Sequence, residues 1–172
     1  MKTIALLCLL AAPGVLHAAD VADPVKEIMD ATVSNWSGAD TEWIDIFDAA
    51  KIDQRFSRDF VAKYHEAEKH PAMEDGISPF DYDVIINGED ACPLKDISIT
   101  PEPPADGKTE VVVRFRKMDC ADGPEAQVVS TVRFELIDEG GKPVVDDIVN
   151  EDSETKESTS LKAIMTDIIN GN

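Results

Sequence analysis

Two of the chain's three histidines stand together in His65-Glu66-Ala67-Glu68-Lys69-His70. A helical zinc site of the metalloprotease kind needs histidines at i and i+4, with a glutamate between them as base. Here the spacing is i, i+5, which sets the two rings about 140° apart around a helix. His65 is expected to face solvent. His70 is expected in a last helical turn, where a partly positive ring suits the carbonyl end of the dipole. The third histidine, His17, falls in the first eighteen residues, so a Ser-His-Asp or Cys-His device would have to use His65 or His70. No catalytic residue, metal ligand or cofactor is assigned.

Three cysteines occur. Cys8 lies in an apolar N-terminal run, leaving Cys92 and Cys120. If the loop Pro101 to Lys108 joins two antiparallel strands with Thr100 opposite Thr109, Cys92 falls opposite Lys117, within reach of Cys120. A disulfide is expected, since a C-x-x-C redox or metal spacing is absent. Closing a 28-residue loop (120 minus 92) stabilises a fold by about 3–4 kcal/mol in the chain-entropy picture.

Carboxylates are too abundant for one pair to stand out. Asp81 and Asp83 are expected on one face of a strand, and Asp146 and Asp147 on opposite faces. Asp119, Asp122 and Glu125 surround Gly123 without the alternating ligands of a calcium loop, so a hairpin turn is expected. The arginines are more telling because they are few. Arg114, Arg116 and Arg133 fall on the polar face of two strands, either as a partner-binding strip or as charge balance in an acidic protein. The acidic loop carrying Glu151, Asp152, Glu154 and Glu157 is a second candidate for partner contact. Asn35-Trp36-Ser37 matches a glycosylation acceptor.

These residues need elements to position them. Asp23 followed by Pro24 reads as a helix cap and first turn, and Val25, Ile28, Met29, Thr32 and Trp36 follow helical spacing. A short second helix is expected from Asp40, carrying Trp43, Phe47 and Ala50. A third is expected from Asp53 to His70, with Phe56, Phe60, Tyr64 and Ala67 on one face and Pro71 beyond. From Tyr82 the period becomes two. Strands are expected over Tyr82–Asn87, Leu94–Thr100, Thr109–Lys117, Ala126–Asp138 and Pro143–Asn150. If Lys117 pairs with Ala126, Glu110 faces Arg133. Asp138-Glu139-Gly140-Gly141 reads as a hairpin turn. A last helix carries Leu161, Ile164, Met165, Ile168 and Ile169, closed by Asn170-Gly171. The plan is α+β: N-terminal helices packed on a curved antiparallel sheet of about five strands, with a C-terminal docking helix.

Residues 1–18 have the layout of a secretory signal: a charged start at Lys2, an apolar run from Ile4 to Leu10, and the small-residue exit Leu16-His17-Ala18. Residues 19–172 then form a single domain, periplasmic or secreted, with no stable membrane association. Losing Lys2 takes the formal charge of −19 to −20. That field repels nucleic acid and favours cationic partners, or it serves solubility alone.

Several segments resemble a bacterial exported family catalogued as domain of unknown function 3828. They are Phe56-Ser57-Arg58-Asp59-Phe60, Phe80-Asp81-Tyr82-Asp83, Asn87-Gly88-Glu89-Asp90, Val111 to Phe115, Asp146-Asp147-Ile148 and Ser160-Leu161-Lys162. The tryptophan that the family often carries before its last strand is absent from Gly141-Lys142-Pro143-Val144. The resemblance implies a fold similar to the nuclear-transport-factor-2-like cone, and it brings no activity and no catalytic residues. The expected function is a non-enzymatic binding module engaging a basic exported protein, as an inhibitor or immunity protein would. The alternatives are a small-ligand carrier with a cone-shaped pocket and a hydrolase-type enzyme.

Overall fold

The computed structural model describes residues 21–73 and 78–172; the export signal read at residues 1–18 lies outside them. The fold is α+β. Helices α1 (Asp23–Asn35), α2 (Ile52–Arg55) and α3 (Arg58–Ala67) precede strands β1 (Lys95–Pro101), β2 (Lys108–Arg116), β3 (Ser130–Asp138), β4 (Pro143–Glu151) and β5 (Ser158–Ser160), and helix α4 (Leu161–Asn170) follows. The strands form one antiparallel sheet in sequence order, as short connections require. Period two places Val111, Val113 and Phe115 on the same face as Val132, Phe134 and Leu136, and all six are fully buried. The helices contribute Val25, Ile28, Ile52, Phe60, Leu161 and Met165 to the same core, and Phe56 joins it from the link between α2 and α3. Burial of each large side chain contributes about 1.5–3 kcal/mol.

Several expectations need correction. Helix α1 starts at Asp23 with Ala22 as its N-cap and no side-chain cap bond, so Asp23 is a first-turn residue and pairs with Lys26 at 2.8 Å. Residues 40–51 do not form a helix. Asn35 Nδ2 donates to Ile44 O (2.9 Å) and Asn35 Oδ1 accepts from Ile44 N–H (2.8 Å). Asp45 and Asp48 accept from the backbone N–H groups of Phe47 and Ala50. These side chains offer the backbone partners that a helix would otherwise supply.

The third expected helix is two. At Phe56-Ser57 the backbone is extended, Phe56 bridges Val145 in parallel, and Ser57 N–H donates to Val145 O at 2.8 Å. Ser57 Oγ then caps α3, accepting from Phe60 N–H at 3.0 Å. The stretch Tyr82–Asn87 is not a strand either: Asp83 Oδ1 accepts from Ile85 N–H (2.8 Å) and Ile86 N–H (3.1 Å), folding it into turns closed by an Asp83–Gly88 bridge. The fifth strand is instead Ser158–Ser160, a segment too short for its period to be read.

The sheet registers also differ. Glu110 faces Glu135, and Arg133 faces Val112, so Arg133 reaches Glu110 diagonally at 2.8 Å. A 3-10 turn over Pro124–Gln127 takes up the residues that would have set the expected pairing. Ser98 faces Arg114 in β1–β2, but an irregularity between Lys95 and Ser98 slips the register. Beyond it, Cys92 N–H donates to Lys117 O at 2.7 Å, and the Cys92–Cys120 disulfide forms with Cα atoms 5.8 Å apart. A bulge at Asp146 interrupts the alternation of β4, and Asp146 and Asp147 are both enclosed at 8% exposure.

Candidate functional site

Two polar or concave regions compete for a functional reading. The first is the bulge of β4. Asp146 Oδ1 accepts from Ser57 Oγ–H (2.8 Å) and from Lys162 Nζ (3.2 Å), and Lys108 lies 3.5 Å from Oδ2. Lys162 also pairs with Asp59, and Lys108 with Glu135 at 2.6 Å. Asp147 accepts from Ser160 Oγ–H (2.5 Å) and from Lys162 N–H (3.1 Å), and Ser160 Oγ in turn accepts from Ala163 N–H as the cap of α4. The adjacent carboxylates therefore hold the N-terminal ends of α3 and α4 on the sheet.

A serine, a lysine and an aspartate in one cluster invite a nucleophile-and-base reading, and the geometry opposes it. Ser57 is fully buried and its hydroxyl is committed in both directions. Burial would lower the Lys162 pKa, but hydrogen bonds and charges from Asp59 and Asp146 outweigh it and raise the pKa above that of a free lysine. A protonated amine cannot take a proton from serine. Burial likewise would raise Asp146, yet the bonds from Ser57 and Lys162 leave it below the usual carboxylate range.

The second region is a cavity of about 580 Å³ between the C-terminal end of α1, the 43–47 segment, α3 and the 80–89 turns. Six aromatic side chains line it: Trp36, Trp43, Phe47, Tyr64, Phe80 and Tyr82. Phe47 stacks on Tyr64 with centroids 4.6 Å apart, while Trp36 and Trp43 meet edge to face at 6.0 Å and 83°. Trp43 is 57% exposed.

The wall is braced from behind. Trp36 Nε1–H donates to Asp83 Oδ2 at 2.8 Å, and Asn150 Nδ2 donates to Val84 O at 2.8 Å. Lys117 Nζ donates to Ile86 O (2.6 Å) and Asn87 O (3.2 Å), and the disulfide ties the chain just beyond. Burial lowers the Lys117 pKa, opposed by the charge of Asp83. A Cβ at Gly88 would stand 3.3 Å from Lys117 Nζ, a tight approach that the lysine would have to relieve.

Four carboxylates, of Asp45, Asp81, Asp83 and Glu89, also line the cavity, and among the described lining residues there is no Lys, Arg or His. Tyr64 is 6% exposed, and its hydroxyl has no hydrogen-bond partner among the described residues. Its pKa is pushed above the ordinary value by burial first, then by the charges of Asp45 and Glu68. Tyr82 is raised by burial and then by Asp81. Both phenols stay neutral and can donate. A second concavity of about 630 Å³, beside Glu27, Lys51, Gln54 and Arg55, has mixed charge and no aromatic wall.

The residues singled out in the sequence lie elsewhere. Arg116 pairs with Asp96 (2.7 Å) and Asp119 (2.5 Å), and Arg133 with Glu110 (2.8 Å) and Glu151 (3.2 Å). Arg114 is exposed and has no ion pair among the described residues. In the acidic loop, Glu151 also meets Lys156 at 3.5 Å. Asp152 accepts from Glu154 N–H and from the N–H and hydroxyl of Thr155, and these bonds hold its pKa down. Glu154 and Glu157 are exposed. His65 Nδ1 lies 3.0 Å from Glu68 Oε1 on an exposed face, and His70 is exposed.

Sequence reasoning placed Trp36 and Phe47 on helical stripes and did not assemble the cavity. A readable signal was present: of ten aromatic residues in all, eight fall within residues 36–82, and six of those line this one wall. No family model, curated protein or solved structure matches the chain. Among the described residues no helix is long and apolar enough to cross a membrane.

Proposed function

We propose that the protein is an exported, non-enzymatic binding protein and that the aromatic cavity is its ligand site. One observation carries this reading: a cavity of about 580 Å³, within the size range of small-molecule sites, combines apolar walls with a few converging polar groups. Three facts support binding over catalysis. Cys92 and Cys120 are joined, the Ser57 hydroxyl is sealed, and His65 and His70 stand on exposed surface. The disulfide suits an oxidising compartment, periplasmic or extracellular, in line with the signal read at residues 1–18. A cationic protein as the partner remains a second reading, favoured by the formal charge of −19.

The test uses the purified, disulfide-bonded protein and the uncharged apolar probe N-phenyl-1-naphthylamine. Saturable one-to-one binding is expected, with quenching of tryptophan emission and affinity reduced about tenfold or more in Trp43→Ala. Absence of saturable binding, or binding unchanged in Trp43→Ala, would refute the cavity as the ligand site.

A further inference from the structure

Elsewhere in this protein carboxylates regularly meet cations. Asp59, Asp96, Glu110, Glu135, Asp146 and Glu151 all lie in ion pairs. At the cavity the pattern reverses. Asp45 and Asp83 bond only neutral N–H groups, and Asp81 and Glu89 have no hydrogen bond or ion pair among the described residues. Negative charge is thus concentrated at the mouth of a low-dielectric wall, where its field is focused.

The aromatic groups favour the same ligand charge. Trp36 and Trp43 stand nearly perpendicular, forming a corner of two indoles. A cation within about 6 Å of a ring centroid is attracted by the ring's electron density, and tryptophan gives the strongest attraction. Trp36 donates its indole N–H to the Asp83 carboxylate, which pushes electron density into the ring and strengthens that attraction. Tyr64, 6% exposed and with a hydroxyl that has no hydrogen-bond partner among the described residues, adds a neutral polar group to the lining.

Resting on the ligand-site reading above, we infer that the occupant is a small organic cation whose alkylammonium head sits at the Trp36–Trp43 corner under the Asp81 and Glu89 carboxylates. An anion would meet four carboxylates with no cation among the described lining residues, Lys117 lying behind the wall on the Ile86 and Asn87 carbonyls, and a neutral apolar ligand would leave those charges unused.

The decisive comparison is between choline and 3,3-dimethyl-1-butanol, which has the same shape without the charge. Calorimetry and tryptophan emission on the disulfide-bonded protein should show choline binding at least about tenfold tighter. Asp81→Asn with Glu89→Gln should weaken choline several-fold, leave the alcohol unchanged, and leave the naphthylamine probe bound. Equal affinity for choline and the alcohol would overturn the cation inference. So would binding of the naphthylamine probe without any choline binding, and in both cases the cavity would stand as a ligand site. Failure of all three to bind would overturn both readings. A pentalysine peptide that binds more tightly than choline and displaces it would place the cation on a polypeptide and overturn the small-molecule assignment.

Discussion

The bulge of β4 and the mouth of the aromatic cavity are both rich in carboxylates, but they use them differently. At the bulge, Asp146 and Asp147 are 8% exposed and meet two serines and a lysine whose positions fix two helix ends. At the cavity, Asp81 and Glu89 are reached by solvent and bond to nothing among the described residues. The same side-chain chemistry thus provides attachment in one region and an unspent field in the other. Neighbouring cations, not carboxylate number, separate the two roles.

The cavity side also has a covalent brace that the bulge lacks. Replacing Cys92 and Cys120 together by serine is expected to cost about 3–4 kcal/mol in urea unfolding. It should also loosen the 80–92 turns, read as faster amide exchange there than at α4. Equal exchange in the two places would erase the proposed division of labour.

A smaller loss, about 2–4 kcal/mol, is expected for Asp146→Ala, which leaves the buried Ser57 hydroxyl without its acceptor and Lys162 with Asp59 alone. The pH dependence has a definite sign. The folded pKa of Asp146 lies below its ordinary value of 3.8, so its contribution is present above that value and declines as pH falls through the depressed folded pKa. Wild-type stability should therefore fall across that acid window, and Asp146→Asn should flatten that part of the curve. An unchanged acid limb in Asp146→Asn would assign the dependence to other groups.

The smallest effect belongs to the cavity mouth. Asp81→Asn with Glu89→Gln should alter stability by no more than about 0.5 kcal/mol, because exposed charges without partners hold nothing together. A loss as large as that for Asp146→Ala, measured in the same urea series, would show that these carboxylates are structural and collapse the contrast.

Periodicity was legible where packing alone decides the chain path. Alternation over Val111–Phe115 and Val132–Leu136 gave the core strands, and Leu161 and Met165 gave the buried line of α4. Cys92 and Cys120 were legible by chemistry. Residues 40–51 and 82–87 were not, because Asn35, Asp45, Asp48 and Asp83 bond backbone groups and override local apolar spacing. Those two segments form much of the cavity wall, so the site was hidden where the fold was misread. The break at Ser57 was marked by a good capping residue, but the extended pairing with Val145 depends on a partner 88 residues away (145 minus 57).

That pairing bears on how the molecule behaves in a crowd. A sheet's outer strands are templates for other chains unless they are short, bent or covered. Here β5 shields β4 over Val149–Glu151, and Phe56-Ser57 occupies it at Val145. The opposite border, β1, is slipped at Asp96, whose φ is +52°, and ends in Pro101. Near the sequence pI of about 4.3, mutual repulsion between molecules disappears. Resistance to strand-by-strand growth into fibrils then comes from these blocked borders, and not from the acid that keeps the molecules apart at neutral pH.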